Sequence, residues 1–366
     1  AFQCYLAVGQ LLMEMGWARS EIEGAVDFAG VKLCLQQLSS FNIHVQIDGS
    51  LCWAAGRPPM RAEDLLWCQA RKVHHCLSEH MSKITEVRVR DLLINDEWNL
   101  ARLNSCSGPV SGKWLTSFPA SWWPLFSDDI FIICLRFRCG IPICTAGHHC
   151  MHTPIKDQDE VCRAAMDRWG DHALTCPIGG HFFTRHAALN TILLQAGRDA
   201  GYTGLLEQVI PEFGIFRQQR NGTLRYEEAR IDVELWGHPT APDRLLDGTI
   251  RHPAAASMVK DAAAIKGFAA NEGVLSKQRR YPASRGKEVI ACAMETWGFC
   301  SEQLYTVLAD FAALASRRQL DRGVVPTRWM QKWLTQISMH VQLHVGRALL
   351  ASLSSDSRRE YVAGTA

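Results

Sequence analysis

The chain has 366 residues, long enough for two domains or for one large domain with an appendage. Its 47% hydrophobic and 21% charged residues suit a folded chain and exclude general disorder. Lys and Arg number 39 against 37 for Asp and Glu, so the net charge of +2 names no partner and any basic surface must be local. No apolar run reaches the roughly 18 residues of a spanning helix. The densest, Ile130 to Leu135, stops at Arg136, so no membrane partner is expected. The amino terminus lacks a basic-then-apolar export signal. Beginning at Ala1, the chain reads as a piece of something longer, working in a reducing intracellular compartment.

Residues 1–104 read as a mostly helical region with one hairpin. Leu11, Leu12 and Met15 share a face, Ile22, Ala25 and Phe28 continue the period, and Ala62 to Met81 returns to helix. Between them, Phe41 to Trp53 alternates (Ile43, Val45, Ile47, Leu51, Trp53) around Asp48-Gly49, a hairpin turn signal. Residues 105–143 read as a connector, rich in Gly, Pro, Ser and Trp before the apolar segment Ile130 to Phe137. Within it, Phe126-Ser127-Asp128-Asp129 has the letters of a polymerase palm. A palm needs a third carboxylate upstream on a neighbouring strand. Ser127 as an N-cap with acidic residues in the first turn explains the same letters as a helix start.

Twelve of the 14 cysteines lie at or before Cys176. Cys4, Cys34, Cys52, Cys68, Cys76 and Cys134 have apolar neighbours and read as small buried hydrophobes. Residues 144–184 differ: Cys144, His148, His149, Cys150, His152, Cys162, His172, Cys176 and His181 crowd together, with His186 just beyond. Two close pairs of soft ligands joined by a loop make a tetrahedral zinc site. His172-x3-Cys176 is one pair. The other is incomplete, because Asp159 stands three before Cys162, so the fourth ligand is open among Asp159, Cys150 and His152.

Residues 185–316 alternate helix and strand. Arg185 to Ala200 reads as a helix stopped by Gly201, Leu206 to Phe216, Arg230 to Trp236 and Arg244 to Arg251 as strands, and Ala254 to Ala270 as an alanine-rich helix. Lys287 to Met294 follows as a strand and Ser301 to Arg317 as a helix. That order makes a mixed sheet with helices on its faces. Asp232 and Asp247 lie on adjacent strands with fourteen residues between them, so a hairpin near His238 to Asp243 brings both carboxylates to one end of the sheet. Paired carboxylates there suit Mg²⁺, which takes hard oxygen ligands and activates water for phosphodiester cleavage. Lys260, Lys266 and Lys277 are the candidate lysines. Lys277 to Lys287 carries five positive charges (Lys277, Arg279, Arg280, Arg285, Lys287), no negative one, and the aromatic Tyr281. Such a segment suits phosphate neutralisation and stacking by DNA or RNA. Residues 317–366 contain an amphipathic helix, Arg328 to Leu353, with Trp333, Ile337, Val341 and Val345 along one stripe.

Gly170-Asp171-His172-Ala173-Leu174-Thr175-Cys176, preceded by Cys162 and Asp167 and followed by Gly179-Gly180 and Arg185-His186, resembles the zinc-knuckle region of non-LTR retrotransposon polyproteins. Ser111 to Thr116 and Leu135 to Pro142 are similar to the linker before that knuckle. Arg230-Ile231-Asp232, then Asp247, Lys277-x3-Tyr281 and Glu295-Thr296-Trp297-Gly298 resemble the restriction-enzyme-like PD-(D/E)xK endonuclease of the same elements. The resemblance implies metal-binding Asp232 and Asp247, a catalytic Lys277 and Tyr281, and zinc ligands Cys162, His172 and Cys176, with Cys150 replacing the missing first cysteine. It also implies nucleic-acid contacts at Arg185 and His186. The chain departs from the pattern at Ile231, where a proline is expected, at Asp159, and at Thr249, where the strand would carry a lysine.

The expected fold is α+β: a helical amino-terminal region, a small zinc-knuckle segment, a restriction-endonuclease-like αβββαβ core and carboxy-terminal helices. The expected function is a Mg²⁺-dependent endonuclease nicking target DNA in the nucleus, with structural Zn²⁺ and an upstream reverse transcriptase portion of the same polyprotein. The alternatives are a non-catalytic zinc-knuckle module that binds RNA or DNA, and an inactive retroelement remnant.

Overall fold

The computed structural model describes residues 18, 20, 43–45, 51–53, 82, 85–117, 125–145, 147–154, 160–219, 222–318 and 324–358. The chain forms two compact units, Ala1–Ile94 and Asn95–Ala366. In the first, β1 (Ile43–Val45) and β2 (Leu51–Trp53) pair antiparallel with Ile43 opposite Trp53, as the alternation predicts. The helical positions Leu11, Leu12, Met15, Ile22, Ala25, Phe28 and Ala62 to Met81 lie outside the described residues, as do Cys4, Cys34, Cys68 and Cys76. Among the described residues, no helix is long and apolar enough to cross a membrane.

The second unit begins with α1 (Glu97–Cys106), whose N-cap Asp96 accepts from the Asn99 N–H at 3.0 Å. The segment read as a connector is folded against it. Val110, Trp114, Ile133 and Phe137 are all buried, because four large apolar side chains in so short a stretch gain more from packing than from water. Ser127 caps α2 (Asp128–Cys139), with Asp128 and Asp129 in its first turn and Gly140 closing it at φ 70°. The Asp-Asp pair therefore starts a helix and forms no palm hairpin.

After the short helix α3 (Asp171–Thr175), α4 (His181–Ala200) leads into a mixed four-stranded sheet. Its strands are β3 (Thr203–Val209), β6 (Arg230–Trp236), β7 (Arg244–Arg251) and β8 (Val289–Glu295), in spatial order β3-β6-β7-β8. β3, β6 and β7 run antiparallel, and β8 adds parallel to β7. Strand β7 is buried along all but its ends, as a central strand covered on both faces must be. The expected α+β class, with a mixed sheet, is what forms.

Two expected elements divide. Leu206 to Phe216 was expected as one strand, but Pro211 cannot donate to a ladder. The chain instead turns through Pro211–Phe213 and builds a separate ribbon from β4 (Ile215–Gln218) and β5 (Leu224–Glu227). The alanine-rich segment breaks at Gly267, φ 72°, into α5 (Val259–Ala264) and α6 (Phe268–Arg280). Alanine favours helix on either side, but Ile265, in extended conformation, ends the first and the left-handed glycine starts the second.

Helices cover both faces of the sheet. A Cβ on Gly273 of α6 would lie 2.8 Å from Thr249 Cγ2, and one on Gly248 of β7 would lie 2.1 Å from Asn190 Oδ1 of α4. Successive strand residues face opposite sides, so α4 and α6 flank the sheet. Helices α7 (Glu302–Arg318) and α8 (Pro326–Ala351) complete the α4 side, and α8 buries the expected stripe Trp333, Ile337, Val341 and Val345. The absent side chain at Gly248 has a testable consequence. Gly248→Ala is expected to displace the buried Asn190 amide and lower stability by about 1–3 kcal/mol in denaturant unfolding. An unchanged midpoint would show that α4 can retreat without loss.

Candidate metal centres

The first centre is built by two chain segments that pair across a loop. Cys150 N–H donates to Ala164 O, Arg163 N–H to Cys150 O and Cys162 N–H to His152 O, each at 2.9 Å, with an isolated bridge between His149 and Ala165. This brings Cys150 beside Cys162. Helix α3 presents His172 and ends at Cys176, and Asp167 fixes its start by accepting from Trp169, Asp171 and His172 N–H groups at 2.8, 3.0 and 3.0 Å. Gly170 precedes it at φ 86°, where a Cβ would lie 2.4 Å from Ile143 Cδ1. Asp171 in turn accepts from Trp98 Nε1 at 2.5 Å and pairs with His252 Nε2 at 2.9 Å, tying the segment to β7's end.

One ligand atom each from Cys150, Cys162, His172 and Cys176 lies within 4.8 Å of every other. Cys162 Sγ is 3.5 Å from His172 Nε2 and 3.6 Å from Cys176 Sγ. Tetrahedral zinc with bonds of roughly 2.3 Å to sulfur and 2.05 Å to nitrogen has edges of about 3.5 and about 3.8 Å, so the donor set fits that ion. Burial pushes the Cys150 thiol up to about 12 and raises Cys176 as well. Thiolates so desolvated require a cation to compensate their charge. The four residues can hold a metal ion. Of the three open choices for the fourth ligand, Cys150 is the one brought in. His152 donates from Nε2 to Ala348 O at 2.9 Å, and Asp159 lies outside the described residues.

The second centre lies where β6 and β7 part. Their ladder ends at Val233 opposite Leu246. One step further the register would place Asp232 opposite Asp247, but there the strands open. Asp232 Oδ2 accepts the Gly248 N–H at 2.7 Å. From α6, one turn short of its end, Lys277 Nζ is ion-paired with Asp247 Oδ1. Lys260 and Lys266 remain on the surface. Asp247 is 1% exposed, and its Oδ2 has no protein hydrogen-bond partner. Burial, with the Asp232 charge, pushes the Asp247 carboxyl up to about 7, and Lys277 opposes this. Burial alone would raise Asp232 too, but the hydrogen bond and charge of His186 hold it below the ordinary carboxylate value.

His186 was expected at a nucleic acid. It instead approaches this centre from the first turns of α4, with Nε2 3.0 Å from both Asp232 Oδ2 and Gly248 O. Its signal in the sequence was the spacing to Asn190, one helical turn on, whose amide nitrogen lies 3.3 Å from Nδ1. Ligand atoms of His186, Asp232 and Asp247 lie within 4.8 Å of one another. Tyr281 reaches neither carboxylate by hydrogen bond. Its hydroxyl donates to Arg230 O at 3.4 Å and its ring meets Phe213 edge-on.

Arg185 requires a correction. It faces the core from α4, 2% exposed, and donates to Leu174 O at 3.2 Å, so it presents nothing to a nucleic acid. Burial pulls its guanidinium down to about 10. The basic segment keeps to the surface. Arg279 is exposed near Glu272, Arg280 lies over the Tyr281 ring and pairs with Glu227, and Lys287 pairs with Glu212 at 2.8 Å. Arg285 and Lys287 line a cleft of ≈ 700 Å³ with Phe216 and Tyr226 of the ribbon. Glu295, the last residue of β8, and Trp297, just beyond it, are structural. Glu295 accepts from Ala270 N–H at 3.1 Å, and Trp297 stacks on Phe137 at 4.8 Å. The chain matches no protein-family model and no curated protein.

Proposed function

We propose that residues 95–358 belong to the carboxy-terminal portion of a non-LTR retrotransposon polyprotein, in which a zinc-bound knuckle adjoins a metal-dependent endonuclease of restriction-enzyme-like fold that nicks DNA. The observation that carries this reading is the convergence of Asp232, Asp247 and Lys277 at the opening of the β6–β7 ladder, on a helix, three strands, helix and strand in the expected order. The inserted ribbon β4–β5 leaves that order intact.

The chemistry follows from the environment of each group. A divalent cation at the carboxylates supplies Lewis acidity that favours hydroxide over water and offsets charge building on the phosphodiester. Asp232 and Asp247, too buried for both to ionise easily alone, supply the negative charge that draws the cation in. Lys277 is about a quarter exposed, so its ammonium can serve both Asp247 and an incoming phosphate. Lysine on α6 takes the place of the one missing at Thr249. Arg279, Arg285 and Lys287 give the neighbouring surface a phosphate-binding character. Nuclear action on DNA, and an upstream polymerase portion, belong to the same proposal.

The test is nicking of supercoiled DNA by the full chain with Mg²⁺ or Mn²⁺, comparing wild type with Asp232→Ala and Asp247→Ala. Wild type is expected to yield open circles and both variants none. Equal cleavage by all three would remove the role given to these residues. Salt-sensitive binding with no product would leave the chain a zinc-knuckle nucleic-acid holder.

A further inference from the structure

The acidic centre holds a nitrogen donor for which paired aspartates have no use. We propose that His186 Nε2 is a third ligand, completing with Asp232 and Asp247 a mixed nitrogen–oxygen site for a first-row transition cation, with Mn²⁺ held above Mg²⁺. This rests on the reading of the two aspartates as cation ligands and specifies which cation they share.

One buried side chain at the centre offers an oxygen that such an ion would take up. Asp247 is 1% exposed, and its Oδ2 has no hydrogen bond to a described residue. His186 Nε2 lies 3.0 Å from two acceptors, Asp232 Oδ2 and Gly248 O. With no cation bound, it carries a proton between them. A cation would displace that proton and take the Nε2 lone pair, with both oxygens already at the separation of neighbouring ligand atoms.

The geometry is close to that of a shared ion. Octahedral bonds of roughly 2.1 Å put neighbouring ligand atoms about 3 Å apart and opposite ones about 4.2 Å apart. The three donors lie within 4.8 Å of one another, so small rotations close the site. Access exists, since the His186 side chain is 22% exposed and that of Lys277 24%. Gly248 lets α4 come near enough, its missing Cβ being the space Asn190 occupies. Magnesium prefers hard oxygen and keeps its waters, whereas an imidazole favours manganese and the later divalent ions.

The test uses Mn²⁺ and the full chain, with the Cys cluster already loaded with zinc. Titration followed by the electron paramagnetic resonance of free Mn²⁺ is expected to show one tight site that excess Mg²⁺ displaces poorly. His186→Ala should weaken Mn²⁺ about 10–100-fold while changing Mg²⁺ affinity much less, and Asp247→Ala should abolish binding of both. Should His186→Ala fail to fold, the wild type alone decides through its electron spin echo. Coupling of bound Mn²⁺ to a ¹⁴N nucleus supports the proposal, and its absence overturns it. Equal Mn²⁺ affinity in wild type and His186→Ala would do the same. Tight, nitrogen-coupled Mn²⁺ without DNA cleavage would instead defeat the nuclease reading and leave the site standing.

Discussion

Stripping the cation from Cys150, Cys162, His172 and Cys176 is expected to lower the melting temperature of the chain by about 10 °C or more. The reason is the position of the cluster in the fold. Cys150 and Cys176 belong to the main hydrophobic core, alongside Ile143, Leu174 and Leu349. Without a cation, three thiols converge there with depressed acidity at Cys150 and Cys176 and few hydrogen bonds to satisfy them. Structural zinc contributes about 10–16 kcal/mol of apparent binding energy in small zinc fingers. Only a part of that should appear here, since the sheet has its own core. A loss of about 5 kcal/mol corresponds to roughly 10–20 °C for a domain of this size. Cys176→Ser should reproduce the effect and bring the zinc content, measured by atomic emission, from one per chain towards zero. A protein that purifies without zinc and melts normally would refute the assignment, whereas exchange of Cys150 alone tests whether that residue is the fourth ligand.

Asp247→Asn is expected to abolish nicking and yet to stabilise the cation-free protein at alkaline pH. Asp247 has a folded value of about 7, well above that of an unfolded carboxyl. The folded state therefore binds this proton more tightly than the unfolded chain does. Its contribution is fully present below about pH 4 and is lost as pH rises through about 7. His186, raised by the Asp232 bond and charge although burial alone would lower it, acts in the same direction: its contribution is lost as pH rises through its folded value. Asp232, held below its ordinary value, is already ionised over this range. Wild type with the acidic centre free of divalent cation, and zinc kept at the cysteine cluster, should thus lose stability between pH 5.5 and pH 8, by on the order of 2 kcal/mol. The asparagine removes the buried charge and should flatten that slope, making the variant the more stable of the two at pH 8. Added Mn²⁺ should restore wild type and leave the variant unchanged. Parallel pH profiles for the two proteins would show that Asp247 does not carry the strain assigned to it.

Much of the carboxy-terminal unit could be read from the chain because its signals are local. Strands β6 and β7 match the expected segments residue for residue, since alternating apolar letters are a local signal, although β7 is buried on both faces. Helix α4 extends four residues earlier than read, because Gly180 supplies a left-handed start that periodicity does not register. Asp232, Asp247 and Lys277 were legible as a group: two of them sit at one register on adjacent strands, and the third lies on the helix covering that face. His172 and Cys176 were legible for the same reason, one helical turn apart.

What the tertiary structure decided are the relationships between segments distant in sequence. Cys150, and not His152, reaches the cysteine cluster because a short ladder pairing residues 150–152 with 162–164 lays it beside Cys162. Arg185 and His186 are adjacent letters with opposite fates: helical geometry turns one into the core and the other towards Asp232. The approach of His186 depends on strands parting after Val233 and on Gly248 lacking a side chain, two features of no fixed spacing. Sequence by itself determined which donors the chain carries and which faces they occupy. Packing determined which donors meet, because contact between a helix and a strand is set by side-chain volume across the core, not by the count of residues between them.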